Sequence, residues 1–82
     1  IMQYIINSTL QENEVIITNV TMTLDSGTVL TLDIPHFLPK SFEDINQNII
    51  NRSITEQIKL DALNNLSNII DQIPINQTIT IN

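Results

Sequence analysis

An α+β fold is predicted by three features of the 82-residue chain. A hairpin with two-residue alternation spans about 15–34, helical periodicity runs from Ser53 to Ile73, and 41% of the residues are apolar. Alternation of period two marks a half-buried strand, and recurrence near 3.6 marks a helix. The expected arrangement is one small domain over 1–82. It has a small antiparallel sheet, with candidate strands at both termini, packed on a short helix and a longer one. A chain of this length buries little more than about 60% of its unfolded surface, so self-association is an expected source of further burial.

The first segment, MQYIINSTL over 2–10, is a short strand with imperfect alternation, because Tyr4 and Ile6 share one parity and Ile5 takes the other. Gln11–Glu14 reads as a polar turn. Over 15–34, Ile16, Val20, Met22 and Leu24 lie on one parity, with Asn19, Thr21, Thr23 and Asp25 on the other. Leu30, Leu32 and Ile34 then alternate with Val29, Thr31 and Asp33. The turn register follows from this pattern. A two-residue loop at Ser26-Gly27 would set Met22 opposite Thr31 and mix the faces. A three-residue loop, Asp25-Ser26-Gly27, pairs Met22 with Leu30, Val20 with Leu32 and Thr18 with Ile34. That register keeps apolar residues on one face, and a slip by one would invert it. Gly27, the only glycine, supplies the positive φ that the last position of such a loop requires.

Pro35 and Pro39 bracket His36-Phe37-Leu38, and proline lacks the N–H a strand needs, so the hairpin is expected to end there. Ser41 with Asp44 resembles a capping box for a short helix from Phe42 to about Ile50, with Phe42, Ile45 and Ile49 on one face. Ser53 with Glu56 is a second capping box and predicts a new start, making Asn51-Arg52 a turn; the alternative is one helix over 42–73. On the longer helix, Ile54, Ile58, Ala62, Leu63, Leu66, Ile69, Ile70 and Ile73 fill about half the circumference, and Leu60 falls on the polar side. Pro74 stops this helix. Ile75, Gln77, Ile79 and Ile81 then share one parity, as in an edge strand that could pair with the N-terminal segment or take part in strand addition.

The composition restricts function more than it assigns it. The formal charge is −6, from 9 acidic and 3 basic residues. Direct nucleic-acid binding is not expected, since a phosphate backbone calls for clustered Lys and Arg. No apolar run approaches the length of a membrane span, and no basic stretch leads into an apolar one, so a cytoplasmic, non-membrane protein is expected. There is no cysteine for a disulfide or a thiolate metal site. Asn-x-Ser/Thr occurs at Asn7, Asn19, Asn51, Asn65 and Asn76; about two would arise by chance, and chance is the reading adopted.

Nothing in the sequence assembles catalytic chemistry. His36 is the only histidine, with no signalled partner, and reads as a surface or locally hydrogen-bonded side chain. The pairs Glu12/Glu14 and Glu43/Asp44 are explained by a turn and a helix first turn. Asp25-Ser26-Gly27 lacks the oxygen spacing of a calcium loop. No catalytic residue, cofactor or metal is expected. The candidates that remain are surfaces. The first is an acidic helix face with Glu56 and Asp61, not neutralised because Lys59 lies across the helix. The second is a surplus apolar arc with Leu63, Leu66 and Ile70, wider than one sheet contact needs. The third is Phe37 as an aromatic anchor between the prolines. The expected function is a non-catalytic protein-binding module that self-associates as a homodimer or larger oligomer. Two alternatives accompany it: an acidic inhibitor mimicking nucleic acid on a basic partner, and a small structural subunit of a larger assembly. In composition the chain is similar to small acidic proteins of phages and mobile elements.

Overall fold

A computed structural model describes residues 1–82. Three strands, β1 (Gln3–Glu12), β2 (Val15–Thr23) and β3 (Val29–Phe37), form an antiparallel sheet in the order β1-β2-β3. Helix α1 (Phe42–Asn64) follows, then a short helix α2 (Leu66–Gln72). The α+β class, an antiparallel sheet with one longer and one shorter helix, is as predicted, but the long helix comes first and is the one packed on the sheet.

The hairpin has the predicted register. Met22 pairs with Leu30, Val20 with Leu32 and Thr18 with Ile34. The loop is closed by the Leu24 N–H donating to the Thr28 carbonyl (2.9 Å) and the Gly27 N–H to the Leu24 carbonyl (2.9 Å). Gly27 takes φ +87°, which a Cβ would strain even in open space. β1 is longer than predicted and turns into β2 through Asn13-Glu14 alone, with Asn13 at φ 53°. The register between β1 and β2 shifts between Ile6 and Ser8. The imperfect alternation comes from Ile5, which is 68% exposed on the outer face, and not from this bulge. Tyr4 and Ile6 before it share a face with Thr9 after it, because Tyr4 pairs with Met22, Ile6 with Val20 and Thr9 with Thr18.

β3 does not end at Pro35; it continues through His36 to Phe37. β3 is an edge strand, where a missing N–H can face away from the neighbour. Beyond it, Leu38 takes φ 42° and donates its N–H to the Glu14 carbonyl (2.8 Å).

The predicted break at Asn51-Arg52 does not occur, and α1 runs through it. Ser53 is buried, and its hydroxyl donates to the Ile50 carbonyl (2.7 Å) rather than capping a terminus. No proline or glycine enforces a stop there, and the sheet contact carries the helix past the capping signature. Ser41 makes no side-chain cap either; Asp44 instead accepts the Lys40 N–H (2.8 Å). The interruption falls at Asn65, whose N–H bonds to the Ala62 carbonyl (3.1 Å) in a tightened last turn.

Continuity sets which face of α1 is covered. The core is Val20, Met22, Leu24, Ile34 and Ile49, with Tyr4, Ile6, Leu30, Leu32, Ile45 and Leu60 packed against it. At about 100° per residue, Leu60 returns to within about 20° of Ile49, whereas Ile58 sits about 180° away. Leu60 therefore packs inward, contrary to its predicted polar-side position, and Ile58 is 61% exposed.

The final correction concerns the C-terminus. Residues 75–81 form no strand, and no hydrogen bond involves any residue beyond Ile73. Every residue from Asp61 onward is exposed. The radius of gyration is 18.5 Å, with extents of 54 × 31 × 17 Å. A compact domain of this length would have a radius near 12 Å. The end of α1, α2 and the C-terminal segment thus project from the sheet as an arm.

Candidate interaction surface

The parity of β3 carries His36 to the helix side of the sheet, where it is buried. The sequence reading placed it on a surface or in a local hydrogen bond; its partners come from β2 and α1. The Asn48 side-chain amide donates to His36 Nδ1 (2.9 Å), so Nε2 carries the proton and donates to Thr18 Oγ1 (2.9 Å). Thr18 in turn donates to the Ile34 carbonyl (3.5 Å). This chain satisfies a neutral imidazole, and burial lowers the His36 pKa below its ordinary value. No carboxylate joins the network, no group of three or more His, Cys, Asp or Glu could hold a metal ion, and no buried side-chain polar atom lacks a partner. The histidine ties β2, β3 and α1 together.

Glu56 is the other perturbed group. It packs inward, with its side chain 12% exposed. The Arg52 hydrogen bond (3.0 Å), then Lys59 (3.3 Å), hold its pKa below the ordinary carboxylate range against the opposing effect of burial. Lys59 was predicted to lie across the helix; its flexible stem instead reaches Glu56 one turn back.

These two groups set an acid response. A His36 held neutral in the fold is protonated more readily in the unfolded chain, so stability is complete above about pH 6.5 and falls as pH drops toward the lowered folded value. Glu56 contributes stability that is present above its unfolded pKa and is lost at more acidic pH, as pH falls through its depressed folded value. Urea unfolding between pH 7.5 and 3 should show a first decline that His36→Asn removes and a second that it leaves in place. An unchanged first decline in His36→Asn would refute the assignment.

With the polar groups so accounted for, the surface that stands out is apolar. On α2 and its C-cap, Leu66, Ile69, Ile70 and Ile73 recur at helical spacing and fall within about 100° of one another. They are 44–66% exposed. Leu63 on the last turn of α1, and Ile75, Ile79 and Ile81 beyond α2, are also exposed. The sequence candidates Leu63, Leu66 and Ile70 are thus brought together on the arm. Asp61 lies at its base, exposed, accepting a hydrogen bond from Gln57 (3.1 Å). Glu56 stands apart, turned inward into its ion pairs. The other acids are spread along the chain, from Glu12 and Glu14 at the β1–β2 turn to Asp25 at the β2–β3 turn and Asp71 on α2.

Phe37 lies at the opposite end of the sheet. α1 begins beside that end, whereas its Gln57 accepts the Ser26 N–H (3.2 Å) at the other, from which the arm leaves. Phe37 does not plug the core but is 69% exposed, pairing in register with Val15. Next to this pair, Leu10, Ile17 and Pro35 align across the three strands on the same outer face.

A further surface lies between the β1 edge and α1. Met2, Gln3, Tyr4, Ile50, Ser53 and Ile54 line a groove of about 440 Å³. Sequence reasoning missed it because it placed Ile54 on the buried arc of a separate helix. The phase of Ile45 and Ile49, extended through Ser53, would have put Ile50 and Ile54 at the flank. Tyr4 anchors one wall by hydrogen-bonding its hydroxyl to Asn46.

No family model, curated protein or solved structure matches the chain. No helix is long and apolar enough to cross a membrane.

Proposed function

We propose that the protein is a non-catalytic interaction module that self-associates through its C-terminal arm. The observation that carries this reading is the stripe Leu66-Ile69-Ile70-Ile73, a helix face patterned for burial with nothing packed on it. Contiguous apolar surface of this kind marks protein contact sites. The arm is also suited to pairing with a like-charged copy. Residues 62–82 contain one ionisable side chain, Asp71, so bringing two arms together adds little repulsion to a chain of net charge −6.

Light scattering coupled to size exclusion, over a wide concentration range and at two salt levels, tests the reading. The mass should rise from monomer toward dimer or higher with concentration. It should be as high or higher in added salt, which screens repulsion between acidic bodies and leaves apolar burial intact. A monomeric mass throughout would overturn the reading.

A further inference from the structure

We infer that Gln77–Ile81 of one copy adds as a fourth strand to the free edge of β1 in a second copy, with Ile79 and Ile81 seated in the groove between β1 and α1. This deepens the self-association reading and rests on it. The segment has the alternation of a strand and yet pairs with nothing: Gln77, Ile79 and Ile81 share one parity, and Thr78 and Thr80 the other. Asn76 takes φ 59°, so the chain turns there and the strand-patterned part begins at Gln77.

The β1 edge matches this segment on both faces. An added strand would have its helix-side residues beside Met2 and Tyr4, in the groove whose far wall is Ile50 and Ile54. Its outer-side residues would lie beside Gln3 and Ile5, which pair with Thr23 and Thr21 at the near end of a polar ladder across the sheet. In that ladder the Asn7 amide donates to Asn19 Oδ1 (2.9 Å) and Thr21 Oγ1 (2.9 Å), Asn19 donates to Asp33 (2.9 Å), and Thr21 meets Thr31 (3.0 Å). Isoleucines facing the groove, with Thr78 and Thr80 beside Gln3 and Ile5 on the outer face, is the parity that buries the apolar side chains.

Length and charge agree. Five residues extend about 16 Å, the span of Met2–Ile6, which ends where the bulge at Asn7 interrupts the edge. Met2–Ile6 carries no charged side chain, nor does Gln77–Ile81. The other edge, β3, carries Asp33 and the donor-less Pro35 and fits poorly. Exchange of such a strand between identical chains is a closed, two-fold arrangement that satisfies both edges at once.

The test uses the full chain in hydrogen–deuterium exchange at concentrations below and above assembly, alongside the double variant Thr78→Pro/Ile79→Pro. Successive residues of a strand point their amides to opposite sides, so one of the two prolines removes a donor facing β1 whatever the register. Both lie beyond the last hydrogen bond of the arm, so the body should fold unchanged, checked by circular dichroism. Added protection of the edge-facing amides within 2–6 and new protection over 77–81, both only with assembly, together with at least a tenfold weaker association in the variant, is the expected result. Assembly with 77–81 exchanging freely, or unaffected by the prolines, would overturn strand addition while leaving self-association standing. A monomer at every concentration would overturn both, including one in which 77–81 is protected on its own β1 edge.

Discussion

Ile49→Ala is expected to destabilise the fold by about 2–5 kcal/mol, the usual cost of emptying a buried aliphatic site. Ile49 is buried and is the only helical residue in a core of five. Deleting its side chain leaves α1 held to the sheet by partly exposed neighbours and by the hydrogen bonds of Asn46 with Tyr4, Asn48 with His36 and Gln57 with Ser26. A domain of 82 residues has about 4–12 kcal/mol in total, so the loss is a large part of its stability. Urea unfolding followed by circular dichroism measures it. Ile58→Ala supplies the comparison, because the sequence reading puts Ile58 on the buried arc and the structure puts it in solvent. Its effect should stay within about 0.5 kcal/mol. Equal losses in the two variants would mean that α1 packs in another phase.

Replacing Leu66, Ile69, Ile70 and Ile73 together with serine should weaken self-association at least a hundredfold, equivalent to about 2.7 kcal/mol. Each aliphatic side chain contributes about 1.5–3 kcal/mol when fully buried, so partial burial of four is sufficient. None of the four belongs to the core or packs on it. The unfolding midpoint, measured where the protein is monomeric, should therefore stay put. A lowered midpoint with unchanged association would show the stripe to be an internal surface. Sedimentation equilibrium on both proteins reads the first quantity and urea unfolding the second.

The legible parts of the chain were those where local pattern and global packing agree. The register of the β2–β3 hairpin follows from parity and one glycine, because pairing Met22 with Leu30 and Val20 with Leu32 is the only alignment that keeps one face apolar. An apolar surplus that includes Leu63, Leu66 and Ile70 was legible because eight apolar positions exceed what one small sheet can cover. The signals that misled were local ones overruled at a distance. Ser53-x-x-Glu56 is a sound helix start in isolation, but Ser53 sits inward beside Ile49 and Glu56 finds Arg52 and Lys59. Pro35 ends a strand in a sheet interior and not at an edge. The alternation of β1 was obscured by Ile5, an apolar side chain exposed on the outer face, and past Ile6 by a bulge whose extra residue, Asn7, is held by side chains of β2.

The sequence by itself determined the fold class, the hairpin and its turn, the absence of a cysteine framework, and an apolar surplus toward the C-terminus. Each is a property of composition or of spacing along one segment. Only the tertiary structure decided that α1 is continuous, that Leu60 and not Ile58 packs inward, that His36 joins two strands to a helix, and that the groove beside Met2 and Tyr4 lies open. These depend on the phase of one helix against the sheet. That phase is set by a few side chains far apart in sequence, Ile49 with Val20, Met22, Leu24 and Ile34, and periodicity within any single segment does not contain it.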